Sequence, residues 1–153
     1  MEDLIKTYKL SPHPEGGYYR EIYRSGFNVR SERAAATRAA VTHIYFLLKK
    51  GQFSRFHRVV HDEIWHHYQG APLTLIRFDG NAVTKETIGP GQDHFTAVVP
   101  GTVWQAAEST GEYSLVGCTV APGFDFKDFS FLSDSPADLT VLKEQASYYH
   151  RFI

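Results

Sequence analysis

Four of the chain's eight histidines fall between Gly51 and Gly70, in the stretch GQFSRFHRVVHDEIWHHYQG, together with Glu63. An imidazole has an ordinary pKa of about 6.5, so both of its protonation states are accessible near neutrality, and a carboxylate beside it orients the ring and stabilises its charged form. His57 and Glu63 are therefore the expected catalytic pair, with His57 as general base or acid. Two other readings use the same side chains. Imidazole and carboxylate are also donors for a divalent transition metal, and a buried His–Glu hydrogen bond can serve simply to pin two strands together. Outside the stretch, Gln105 can read a ligand hydroxyl or carbonyl. Trp65 and Trp104 offer flat faces to a sugar or base ring, or else plain core. The guanidinium forks of Arg20 and Arg55 match a carboxylate or phosphate, or pair with a surface acid. Tyr19 and His61 complete the expected substrate-binding set.

The elements that must position these residues read mostly as strands. FSRFHRVV and EIWHHY are both strand-like, and HDE is short and polar enough to turn the chain between them. On that reading His57 and Glu63 face inward as neighbours across a hairpin. YYREIYRS alternates with a period of two, VTHIYFLL reads as a central strand, and LTLIRF, AVTKETI, FTAVVP, VWQAA and YSLVGCTV follow with tight turns between them. Short strands at close spacing indicate a sandwich or barrel. RSERAAATRAA contains the expected long loop. Two helices frame the strands: a short amphipathic one in MEDLIKTYKL, and one in SPADLTVLKEQASYY with Ser135 as N-cap and Pro136 in its first turn, packed outside the β unit. The turn HPEGG is read as a tight lead into the YYREIYRS strand, since its glycines fit no phosphate-binding fingerprint.

At 153 residues the chain has the length of one domain, 1–153, able to bury a sizeable core. Sixteen basic and seventeen acidic residues leave a formal charge of −1 with no electrostatic footprint for nucleic acid. No run approaches the length of a membrane span and the N-terminus does not read as a signal peptide, so a cytoplasmic location and no membrane partner are expected. The single cysteine, Cys118, sits in an apolar strand-like run and is expected to be a buried structural thiol.

The spacing from Gly51 through His57, Val59 and Glu63 to Gly70 resembles the first cupin motif, G-x5-H-x-H-x3-E-x6-G, with valine in the second histidine position. VVPGTVWQAAE resembles the second motif, with Gln105 in its histidine position. The blocks HPEGGYYREIYRS, IYFLL, FSRFHR, DEIWHHYQG, VWQAAE and EYSLVGCTVAPGFDFKDF together are similar to the cupin-5 family, also called DUF985. The resemblance implies an all-β, single-domain jelly-roll β-barrel with a central cavity, and a homodimer. It implies no established reaction.

A typical cupin metal takes three imidazoles and a carboxylate, whereas here only His57 and Glu63 match, Val59 has no donor atom, and Gln105 would be a weak third ligand. The expected cofactor is therefore none, with a divalent metal on His57, Glu63 and Gln105 as the alternative. Similar cupin-fold sugar-nucleotide epimerases use a histidine base and a tyrosine acid without metal. The reading taken forward is a metal-independent epimerase, isomerase or lyase acting on a small polar, carbohydrate-like molecule. The alternatives are a metal-dependent oxygenase or decarboxylase and a non-catalytic metabolite-binding protein.

Overall fold

The computed structural model describes residues 2–153. A short helix, α1 (Glu2–Thr7), leads into β1 (Ser11–Pro12), β2 (Tyr18–Arg24), β3 (Asn28–Ser31), β4 (Ala36–Ala39), β5 (Thr42–Lys49), β6 (Phe53–Val59) and β7 (Asp62–Gly70). The chain continues through β8 (Leu73–Phe78), β9 (Val83–Ile88), β10 (Thr96–Val99), β11 (Trp104–Ser109), β12 (Tyr113–Ala121), β13 (Phe129–Phe131) and α2 (Pro136–Gln145).

Two antiparallel sheets face each other, one of six strands in the order β1-β2-β5-β12-β7-β10 and one of five in the order β13-β6-β11-β8-β9. From β5 onward most successive strands change sheet, which is the winding of a jelly roll. Among the described residues no ladder joins the two sheets, so the barrel is a flattened sandwich rather than one closed by hydrogen bonds. None of the described helices is long and apolar enough to cross a membrane.

The five-stranded sheet is covered on both faces, and its side chains sort by parity. Leu73 and Leu75 of β8 point inward to a cluster with Phe46, Trp65 and Val116, while Ile76 and Phe78 point outward to Phe56, Trp104, Leu142 and Phe152. Helix α2 thus packs outside the β unit, as expected from the sequence. Ser135 is its N-cap residue, but its hydroxyl donates to Asp138 Oδ2 (3.0 Å) instead of capping the backbone. The same Asp138 oxygen accepts Trp104 Nε1–H (3.0 Å), which ties α2 to β11. Helix α1 covers part of the outer face of the six-stranded sheet through Leu4, Ile5 and Tyr8 over Leu47 and Leu115.

Two expectations are corrected. The long loop in RSERAAATRAA is largely the hairpin β3–β4, a separate two-stranded sheet whose tight turn is held by Ala34 N–H donating to Ser31 Oγ (3.0 Å). More consequentially, β6 and β7 do not form a hairpin. The bend at Val60–His61 carries the chain from one sheet to the other, so His57 and Glu63 stand on facing sheets. The register partners of His57 are Gln105 on β11 and Phe131 on β13, and those of Glu63 are Val99 and Val120.

Candidate functional site

A cavity of about 490 Å³ opens between the sheets. Its wall takes His57 and Val59 from β6, Glu63 from β7, Ile44 and Phe46 from β5 and Cys118 from β12. Phe124, Phe126 and Phe129 line it from the segment after β12, and His13 and Glu15 from the turn before β2. That turn is pressed against β6. Gly16 has φ +111, and a Cβ there would stand 2.1 Å from the carbonyl oxygen of Phe53, so only glycine lets the backbones approach this closely. Arg55 then holds the turn twice, its amide donating to Glu15 O (2.8 Å) and its Nη2 to Pro14 O (2.7 Å). Glu15 is thereby delivered beside His57, two residues along β6.

The hydrogen bonds fix where the protons sit. His57 Nδ1 lies 2.8 Å from the Arg55 carbonyl, which can only accept, so Nδ1 carries a hydrogen. Nε2 lies 3.0 Å from Glu15 Oε2, near enough for a proton to pass between them, from Glu15–H beside neutral imidazole to carboxylate beside imidazolium. Burial pushes the Glu15 carboxyl up to about 8, against the pull of the Ser54 hydroxyl on Oε1 (2.7 Å) and of the Arg55 charge. Burial also lowers the pKa of His57, while the charge of Glu63 opposes this. Both shifts favour the neutral pair. The ring of His57 is backed by Phe129, with centroids 5.2 Å apart and planes 16° from parallel.

His13 is a neutral neighbour. Its Nδ1 accepts the Glu15 amide (3.2 Å), and burial, with the nearby His57, lowers its pKa to about 3. Its 3.5 Å approach to Glu15 Oε2 is therefore not an ion pair.

Glu63 faces this pair from the other sheet. Burial raises it to about 7, with the His57 charge pulling down and that of Glu15 pushing up. Behind it, Gln105 Nε2 donates to Glu63 Oε2. The orientation of that amide follows from Trp65, whose indole N–H can only donate and lies 2.8 Å from Gln105 Oε1. Burial and the charge of Glu63 hold the Cys118 thiol protonated, well above its usual range.

The cavity thus brings together His57, Glu63, Tyr19 and Arg20 of the residues singled out in the sequence. Gln105 and Trp65 are fully buried behind Glu63 and do not reach the cavity wall. Trp104 lies on the opposite face of β11, beneath α2, and Arg55 anchors the turn that carries Glu15. His61 sits apart, with Nε2 2.6 Å from Ser31 Oγ and Nδ1 3.8 Å from Asp128. Sequence reasoning missed Glu15 and His13. The paired glycines of HPEGG were the available signal, because two adjacent glycines at a strand start mark a close backbone approach as readily as a tight turn.

The donors do not fit the divalent centre set out as the alternative. Val59 contributes only carbon to the wall, the Gln105 oxygen is turned to Trp65, and Nε2 of His57 lies 3.0 Å from Glu15 Oε2. Among the described residues no three His, Cys, Asp or Glu side chains are grouped to hold a metal ion.

Known proteins share this architecture. A hypothetical protein from Leishmania major is 32% identical and superposes with a TM-score of 0.86, covering 97% of this chain and 94% of the other. Protein SO0799 from Shewanella oneidensis is 31% identical with a TM-score of 0.85, covering 99% and 95%. The uncharacterized protein YML079W of Saccharomyces cerevisiae is 28% identical over 150 residues, 86% of this chain and 75% of that protein. The model of the family described as cupin superfamily (DUF985) matches residues 2–132, and the chain belongs to that family.

Proposed function

We propose that this chain is a metal-independent enzyme that moves protons on a small polar, carbohydrate-like molecule, as an epimerase, isomerase or lyase does. The observation that carries the reading is the 3.0 Å contact between Glu15 Oε2 and His57 Nε2 on the wall of the cavity. With Nδ1 anchored on a carbonyl, any proton that His57 gains or gives must pass through Nε2. A carboxyl raised to about 8 is a proton donor at neutral pH, and it becomes a base once its proton has passed to the ring or the substrate. Glu63, raised to about 7 on the facing sheet, supplies a second group able to take or return a proton from the other side. Two acid–base groups on opposite walls suit reactions that remove a proton at one face of a carbon and return it elsewhere.

A homodimer is part of the same proposal. Ile22 and Tyr23 of β2 are 42% and 54% exposed, and β2 is shielded from the sheet edge only by the two residues of β1. The buried, protonated Cys118 suits the reducing conditions of the cytoplasm.

The test is incorporation of solvent deuterium into small sugars and sugar acids incubated with the protein in heavy water, read by mass spectrometry. Exchange that disappears in folded His57→Ala and Glu15→Gln variants supports the proposal. Exchange that both variants retain at the parent rate contradicts it.

A further inference from the structure

The mouth of the cavity differs from its interior. Five charged side chains line it: Lys9, Arg20, Glu21, Arg24 and Asp125, three cations against two carboxylates. Arg24 is already engaged, with Nε and Nη2 on the Glu21 carboxylate (3.0 and 2.8 Å) and Nη2 also on the carbonyl of Phe124 (3.0 Å). Asp125 Oδ1 accepts the amide of Lys127 (2.9 Å). Among the described residues neither Lys9 nor Arg20 takes part in an ion pair.

Arg20 is anchored through its side chain. Arg20 Nη1 donates to the Tyr8 carbonyl at 3.3 Å, which leaves the rest of the guanidinium fork unengaged by protein among the described residues. Lys9 follows α1 with φ +52, in the left-handed conformation that normally selects glycine or asparagine after a helix. The conformation closes α1, with Lys9 N–H donating to Lys6 O (3.2 Å) and Leu10 N–H to Ile5 O (2.9 Å), and it leaves the Lys9 side chain exposed at the cavity mouth. The deep end of the cavity contrasts with this rim, offering the hydrogen-bonding groups of Glu15, His57 and Glu63.

We infer that the ligand carries an oxyanion group, a carboxylate or a phosphate, clasped at the cavity mouth by Lys9 and Arg20 while its neutral polar part reaches Glu15 and His57. The placing of the neutral part rests on the proton-transfer proposal, but the anion clasp stands on the mouth alone. An ammonium and a guanidinium fork lining one opening are the usual partners of such a group, and about 490 Å³ accommodates a molecule of metabolite size.

The experiment titrates inorganic phosphate and, separately, acetate into the full 15N-labelled chain and follows the backbone amides of residues 8–25. The expected result is a saturable shift centred on Lys9 and Arg20, weakened at least tenfold in a Lys9→Gln/Arg20→Gln variant and preserved in His57→Ala. A tighter response to phosphate assigns a phosphorylated ligand, and a tighter response to acetate assigns an organic acid. Absence of a saturable shift with either anion, or a shift that survives the double replacement, overturns the inference. Since no turnover is read, failure here leaves the deuterium-exchange test of Glu15 and His57 standing, and failure there leaves the clasp standing.

Discussion

Glu15 Oε2 stands 3.0 Å from Nε2 of His57, although the two residues belong to distant parts of the chain. The contact exists because the Arg55 amide, on the same strand as His57, donates to the Glu15 carbonyl, and because Gly16 lets the turn lie against β6. The acid and the imidazole are thus placed by backbone, which leaves both side chains free to exchange a proton.

Glu15→Gln should leave the fold intact and remove most of the exchange activity. The amide can still donate to Nε2 but cannot release a proton to it, so a loss of about 10²- to 10⁴-fold in rate is expected. Glu15→Ala should instead lower stability by about 1–3 kcal/mol, because the Ser54 hydroxyl and the His57 ring lose a buried partner. Rates from deuterium incorporation and midpoints from urea unfolding separate the two effects.

The buried acids set a pH dependence of stability. An acid raised from 4.5 to about 8 binds its proton more tightly in the folded state, so its contribution falls as pH rises from about 4.5 and levels off above about 8; Glu63 acts with the same sign up to about 7. His13, lowered from 6.5 to about 3, and His57, also lowered, act oppositely, but their gain is complete by about pH 6.5. Between about 6.5 and 8 only the loss remains. Unfolding free energy should therefore fall across that window by an amount on the order of a kcal/mol or more. In Glu15→Gln the decline should be much smaller; an equal decline in the variant would remove Glu15 as its source.

Gly16→Ala should displace Glu15 without altering a reacting group. A Cβ 2.1 Å from the Phe53 carbonyl, at φ +111, forces the turn off β6 and should destabilise the protein by at least about 1–3 kcal/mol. At temperatures where the variant remains folded, exchange activity should fall with it. Full activity in a folded Gly16→Ala protein would mean that the turn's position does not matter.

The cavity wall has a second brace. Arg38 of β4 grips Asp128 through two bonds, 2.8 and 2.7 Å, and Asp128 precedes Phe129, whose ring backs His57. Arg38→Ala leaves the Asp128 carboxylate without its two-bonded partner and should lower the urea midpoint of unfolding. Chemical denaturation measures this directly, and an unchanged midpoint would place the pair among weak surface contacts.

Much of the fold was legible in the sequence, because the period of two read in YYREIYRS, the apolar run YSLVGCTV and the Ser135–Pro136 helix start are local signals. The hairpin β3–β4 was not, since an Ala- and Arg-rich segment shows no alternation and its strands are fastened by Arg38–Asp128 from outside. The β6–β7 connection misled for another reason. A two-residue bend looks the same whether it closes a hairpin or crosses between the sheets of a jelly roll, and only the pairing of β6 with β11 decides between them. The site divided in the same way. His57 and Glu63 stood out by type and spacing, whereas Glu15 became visible only through a backbone bond between two segments far apart in the chain.

A single proton shared by Glu15 and His57 is tested most directly by 15N NMR of the histidine rings. Spectra of the parent and of Glu15→Gln would be recorded from about pH 5 to about pH 9. Near neutrality His57 should carry hydrogen on Nδ1, with an Nε2 signal between free and protonated values that moves toward the free value in Glu15→Gln. A His57 ring protonated on Nε2 alone, or an Nε2 signal indifferent to the replacement, would contradict the shared proton.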